Sequence, residues 1–289
     1  MNSMLKRVRL TVLSENSVRA PGLMAEHGLS ILVETPQARL LFDTGQGQVL
    51  PANAKQLGCS LEYLDAIVLS HGHYDHTGGL AEVLRQPGQP TVYMHPLALK
   101  PKYTISSAGR ARPIGIPQCC LERLENLGAK LVLTRSPVEV APGVWLTGEI
   151  PRLSSCEDTG GYFFLNEDLS MPDPLLDDQA LFARLPEGLL VILGCAHAGT
   201  INTLEFVTRF TGTNSVYALV GGMHLAGASE QRIEATLEAL ERFQVRVLKP
   251  CHCTGRAAYC EFRRRLGERA GEFPAGSSIA FGETAATPA

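Results

Sequence analysis

The stretch "LSHGHYDHTGG" (residues 69–79) places His71, His73, Asp75 and His76 within six positions and closes on two glycines. The 289-residue chain has eight histidines, so three of them in one loop need a reason. A single histidine at a strand end is ordinarily a hydrogen-bonded surface or core residue. Three, at offsets of two and three with an aspartate before the last, do not serve packing. The apolar run LDAIVL (64–69) precedes them and reads as a buried strand. Alternate residues on an extended segment point the same way, so His71 and His73 can share one metal. Asp75 and His76 follow the turn and can face a second position. Neutral imidazole and carboxylate are standard ligands of zinc and other first-row divalent metals.

Four donors do not complete two sites, so the others are expected from neighbouring loops. In the last third of the chain, LGCAHAG carries Cys195 and His197, GGMHL carries His224, and KPCHCTG carries His252. Each follows a strand, and in α/β arrangements ligands collect outside the carboxyl ends of strands. Cys195 reads first as a small buried residue, with a soft-ligand role as the alternative. Cys251 and Cys253 flank His252, and alternation turns them away from it, toward packing. His95, before Pro96, stands outside these motifs and is expected to leave metal content unaffected.

Composition narrows the function. Hydrophobic residues make up 45% and charged residues 19%, enough for a full core. A net charge of −3 and a pI near 6.3 leave no electrostatic footprint for nucleic acid. Aromatics at 6% argue against a stacking platform for single strands. The expected partner is therefore a small-molecule substrate, not a nucleic acid or a membrane. MNSMLKRVRLTVLSEN has no apolar core of signal-peptide length, and no apolar run approaches the roughly 18 residues of a membrane span. Eight cysteines without paired C-x-x-C knuckles read as reduced thiols, and a cytoplasmic location is expected.

Strands are expected at 7–15, 29–35, 38–45, 64–69, 90–96, 130–134 and 144–148, with a pair around 160–165. Helical stretches are expected up to about Leu57, at about 80–85, and in CLERLENLG (120–128). The final third alternates strand 189–194, helix 200–210, strand 216–222, helix 229–243 and strand 246–250, with Ser229 as N-cap. This order predicts two packed sheets with helices outside, a four-layer αββα sandwich in a single domain spanning 1–289. Residues 97–118 show no clear period and are expected to form a lid-like insertion. Within it, Arg110 and Arg112 are candidates for binding a phosphorylated substrate, since guanidinium matches phosphate bidentately; a solvated basic loop is the alternative. Asp177 and Asp178, near the end of an acidic connection at 166–179, are expected to brace the site.

SHGHYDHTGG matches the H-x-H-x-D-H signature, and the chain resembles the metallo-β-lactamase superfamily. AEHGLS (25–30), LLFDTGQ (40–46), TGEIPR (147–152), PDPLLDDQAL (172–181), GCAHAGTINTL (194–204), GGMHL (221–225) and PCHCTG (250–255) are similar to the subfamily of 7,8-dihydropterin-6-yl-methyl-4-(β-D-ribofuranosyl)aminobenzene 5′-phosphate synthases. The resemblance spans nearly the whole chain. It implies an αββα fold and one or two divalent metals, zinc first with manganese or iron as alternatives. It implies His71, His73, Asp75, His76, His197 and His252 as metal ligands, with Asp75 and His224 in catalytic roles. Cys195 takes the place of the family's bridging aspartate, and where a middle histidine ligand is expected this chain offers Glu149. The implied activity is that of a metal-dependent hydrolase or transferase. It would act on a small phosphorylated or pterin-like substrate, through a metal-bound hydroxide or a metal-held leaving group. A metallo-ribonuclease of the same fold and a non-catalytic metal-bearing sensor are the alternatives.

Overall fold

β1 (Arg7–Ser14), β2 (Ser30–Glu34) and β3 (Arg39–Phe42) are consecutive apolar runs that pair as an antiparallel meander. α1 (Leu50–Gln56) carries the chain to β4 (Ala66–Val68), which lies parallel to β3. Two four-residue helices, α2 (Tyr74–Thr77) and α3 (Leu80–Val83), lead to β5 (Thr91–Met94). A hairpin, β6 (Tyr103–Ile105) and β7 (Ala111–Pro113), precedes α4 (Gln118–Leu127) and β8 (Lys130–Leu133). β9 (Val138–Ala141) and β10 (Val144–Leu146) form a second hairpin, and the short β11 (Phe163–Phe164) pairs with β6. β12 (Ala180–Leu185) and β13 (Gly188–Leu193) then open the alternating part: α5 (Thr200–Thr211), β14 (Val216–Gly221), α6 (Glu230–Arg242) and β15 (Val247–Pro250). α7 (Arg256–Leu266) and β16 (Ser278–Gly282) follow. The computed structural model describes residues 4–127 and 130–282. Met1–Ser3, Gly128 at the end of the expected helix, and the last seven residues of the expected domain lie outside the described residues.

The strands form a seven-stranded sheet, β16-β1-β2-β3-β4-β5-β8, a six-stranded sheet, β15-β14-β13-β12-β10-β9, and a small sheet, β11-β6-β7. Successive side chains on a strand point to opposite faces. Ile31, Val33, Leu40 and Phe42 therefore meet Leu190, Ile192, Ala218 and Val220 between the two large sheets. Leu32 and Leu41, one residue out of phase, pack instead against Leu50, Leu80 and Leu124 on α1, α3 and α4. Leu189, Val191 and Leu193 face Leu204, Leu237 and Phe262 on α5, α6 and α7. Central strands of the two large sheets, such as β2, β4 and β13, are covered on both faces and read as continuous apolar runs. This is the four-layer αββα arrangement. Ser229 caps α6, its Oγ accepting from Arg232 N–H at 3.2 Å. No helix among the described residues is long and apolar enough to cross a membrane.

The stretch expected to lack regular structure, 97–118, contains the β6–β7 hairpin. Its base is fixed by Lys102, whose fully buried ammonium donates to Asp173 and Asp177, each at 2.8 Å. Two carboxylates beside one buried cation supply the partners that burial demands. α2, β9, β12, α7 and β16 are elements the sequence reading did not anticipate.

Candidate metal centre

β3, β4 and β5 run parallel, as do β13, β14 and β15, so the two large sheets each present a set of carboxyl ends. His71 and His73 follow β4; Cys195 and His197 follow β13; His224 follows β14; His252 follows β15 in a three-residue turn. Three of these loops hold a non-glycine residue at positive φ: Ala196 at 55°, His224 at 45° and His252 at 52°. Backbone strain of this kind persists where surrounding structure enforces it, and it clusters at functional sites.

Hydrogen bonds fix which ring nitrogen of His71, His76, His197 and His252 faces the centre. His76 Nδ1 lies 2.6 Å from the Asp43 carboxylate, so Nδ1 carries a proton and Nε2 is the nitrogen left for a metal. His252 Nδ1 donates to Asn16 Oδ1 at 2.9 Å, leaving its Nε2 for a metal as well. These two Nε2 atoms face each other at 3.1 Å, with Cys195 Sγ 3.1 Å from His76 Nε2. Ring nitrogens at that distance share a cation between them, either a proton or a metal ion. Zinc–nitrogen bonds of about 2.0–2.1 Å in a tetrahedron separate ligand atoms by about 3.3 Å.

The other half behaves alike. Ser70 Oγ donates to Asp43 Oδ2, so it accepts from His71 Nδ1–H at 2.9 Å and frees His71 Nε2. His73 Nδ1 lies 3.0 Å from that Nε2. His197 Nδ1–H donates to the Thr159 carbonyl at 2.7 Å, and its Nε2 is buried without a partner. The three donors His71, His73 and His197 lie within 4.8 Å of one another, as do His71, His76 and Cys195. Asp75 Oδ2 completes the second set, 3.5 Å from His252 Nε2 and 3.8 Å from His76 Nε2. The donor chemistry fits one or two divalent metals, held by His71, His73 and His197 on one side and Asp75, His76 and His252 on the other, with Cys195 between.

The electrostatics suit that load. Burial, reinforced by neighbouring rings, holds His71 and His197 well below the usual histidine range, and burial pushes His73 down to about 3. All three are neutral, as ligands must be. Burial opposes charge on Asp75, yet the His76, His252 and His27 rings beside it hold its carboxyl well below the ordinary value. Burial likewise opposes charge on His76, but the Asp43 and Asp75 carboxylates outweigh it and raise its pKa, so a metal binding at Nε2 would have to displace a proton there. Burial raises the Cys195 thiol well above its normal value, so a bound metal would displace its proton.

His224 is brought to the same cavity, its ring 4.3 Å from that of His197, with Nδ1 buried and unpartnered. A Cβ on Gly160 would overlap the His224 ring, so glycine there lets the ring fit. Arg112 lines the cavity and donates to the Tyr74 hydroxyl at 2.7 Å, whereas Arg110 is exposed at the hairpin turn, its backbone bonded to Ser106. Glu149 stands apart, paired with Arg135 at 3.0 Å and facing His95 at 3.5 Å, and His197 occupies the place beside His71 and His73. Asp177 braces the first loop by accepting from Gly72 N–H at 2.8 Å. Asp178 braces the second by accepting from Ala198 N–H at 2.9 Å, and burial pushes its carboxyl up to about 7.

Besides Arg110 and Glu149, two residues depart from expectation. Cys253, expected to pack away from His252, lines the cavity within reach of Cys195 and His252, because the turn at His252 breaks strand alternation. His27, absent from the expected site, places Nε2 3.2 Å from Asp75 Oδ2. Its signal in the sequence is the AEHGLS motif just before β2.

The model of the metallo-beta-lactamase superfamily matches residues 24–160. The 7,8-dihydropterin-6-methyl-4-(beta-D-ribofuranosyl)-aminobenzene-5′-phosphate synthase of Methanocaldococcus jannaschii is 30% identical over 273 residues, 89% of this chain and 90% of that protein. A crystal structure of a metal-dependent hydrolase of the beta-lactamase superfamily is 31% identical, with a TM-score of 0.82 over 96% of this chain and 100% of that one. A diphosphatase from the PhnP family shares the fold, at 14% identity and a TM-score of 0.53 over 96% of this chain and 98% of that one. The chain belongs to the metallo-beta-lactamase superfamily.

Proposed function

We propose that the protein is a metal-dependent hydrolase or transferase acting on a small phosphorylated or pterin-like molecule. The observation that carries this reading is the convergence of histidine ring nitrogens at the base of a cavity of about 170 Å³. When bound there, zinc, manganese or iron supplies Lewis-acid polarisation and lowers the pKa of bound water toward roughly 7. The chain's own residues do the rest. Asp43, Ser70, Asn16 and the Thr159 carbonyl hold the imidazoles in their tautomers. Asp75 orients the attacking nucleophile or serves as ligand, and His224 gives a proton to the leaving group. Phe163 packs 5.1 Å from both His73 and His197 and excludes water from their faces.

Arg112 is the one lysine or arginine among the described residues lining this cavity, well placed to take a phosphate at the mouth. A polymer such as RNA would need a broader basic surface, and the net charge is −3, so the ribonuclease reading is disfavoured. The similarity to the pterin-pathway synthase supports a pterin-like substrate class. The test is to assay metal-replete protein against phosphoesters, lactones, thioesters and pterin pyrophosphates, with metal stoichiometry measured in parallel. One or two metals per chain and turnover of a phosphorylated member are expected. Arg112→Ala should raise KM for that substrate about tenfold or more with a smaller change in kcat, as loss of uniform binding requires. Absence of stoichiometric metal after metal-supplemented expression would end this reading.

A further inference from the structure

We infer that His27 is a positioning residue that fixes Asp75, and through it the second of the two metal positions. The inference rests on the metal-dependent reading above. Asn16 Oδ1 already accepts from His252 Nδ1–H at 2.9 Å and from Gly28 N–H at 3.2 Å. Its amide nitrogen is therefore the group facing His27 Nδ1, at 3.3 Å, and it donates there. His27 Nδ1 must accept, so its Nε2 carries the proton and donates to Asp75 Oδ2 at 3.2 Å.

The backbone around His27 is built to hold that donor in place. Glu26 is buried, accepting from Ser14 Oγ and Gln46 N–H through Oε1 and from Gln48 N–H through Oε2. Gln46 also donates to the His27 carbonyl, and Leu29 N–H donates to the Asp75 carbonyl at 3.2 Å. A Cβ on Gly28 would lie 2.7 Å from that same carbonyl oxygen, so only glycine lets this segment lie so close to Asp75. Asn16 thus serves two rings at once, orienting His252 by its oxygen and His27 by its nitrogen. The Asp75 carboxylate receives His27 from the cavity mouth while His76 and His252 face it from inside. Without His27, the carboxylate keeps no fixed donor on its outer side and is free to rotate.

The His27 side chain is 57% exposed, so replacing it opens no hole in the core. The experiment is a zinc titration of metal-free protein, by calorimetry and by competition with a chromogenic chelator. Wild type is expected to bind two zinc ions. His27→Ala should weaken one of them by roughly tenfold to a hundredfold, the usual cost of losing a group that orients a ligand, and leave the other unchanged. The unchanged ion reports that the fold survives. His27→Gln keeps an N–H donor near the Nε2 position and should restore affinity to within a few-fold of wild type. Equal affinities in wild type and His27→Ala would overturn the inference and leave the metal reading standing. His27→Gln as weak as His27→Ala would also overturn it, because the ring would then be a ligand and not a positioning group. A wild type that binds no zinc would overturn both.

Discussion

His197 has its chemistry set by one hydrogen bond: Nδ1–H is committed to the Thr159 carbonyl, and the buried Nε2 has nothing else to meet. His197→Ala should therefore remove the metal shared with His71 and His73 and reduce turnover by at least about a hundredfold, read by elemental analysis and initial rates. Cys195 differs in kind, since its sulfur stands near donors of both halves. Cys195→Ser keeps the volume and exchanges a soft donor for a hard one. It should weaken zinc roughly tenfold or more and abolish the near-ultraviolet thiolate-to-metal band of the cobalt-loaded protein. A cobalt spectrum without that band in the wild type would show that the sulfur is not a ligand. Much of this site is legible in sequence, because offsets of two and three among His71, His73 and His76 have no packing explanation. His197 and His252 are legible from their places after strands. Cys253 is misjudged because period-two alternation stops at the turn that begins with His252. His27 is invisible to spacing arguments, since it stands alone and its partner Asp75 is brought to it only by folding.

At the scale of elements, the long apolar runs announce themselves, and so does α6 with its serine cap. β12 follows directly on the acidic, proline-containing connection, which masks its start. α7 carries three consecutive arginines and buries only Ala258, Phe262 and Leu266, too sparse a stripe to stand out. The β6–β7 hairpin has three-residue strands with no buried residue in either, so no alternation marks it. What orders it lies elsewhere in the chain, in Asp173 and Asp177 around Lys102. Lys102→Met leaves two carboxylates buried without their cation and should cost about 3–5 kcal/mol of stability. Thermal and urea unfolding would measure that loss. Asp177 also accepts from Gly72 N–H, so the same variant should loosen the first ligand loop and lower metal affinity. A variant with unchanged melting temperature would show that the buried charges are not what anchors the hairpin.

For the whole molecule, the donor sets span the sandwich. His71 and His73 follow β4 of the seven-stranded sheet, while His197 and His252 follow β13 and β15 of the six-stranded one. A metal held by both sets would tie the two sheets together at their carboxyl ends. Anything that binds only the folded state stabilises it by mass action, about 4 kcal/mol when free ligand exceeds Kd a thousandfold. For a domain of this size each kcal/mol moves the midpoint by about 2–4 °C. Stripping metal with a chelator should therefore lower Tm by roughly 10 °C, and restoring zinc should return it. His71→Ala combined with His73→Ala should respond far less to zinc, because half of the bridge is gone. His95→Ala supplies the contrast: its ring is buried beside Glu149, away from the donors, so it should lower Tm yet keep the full zinc-dependent rise. If chelation leaves the wild-type midpoint unmoved, the metal does not tie the sheets together, and the convergence of the histidines must be sustained by the hydrogen bonds from Asp43, Ser70, Asn16 and Thr159 alone.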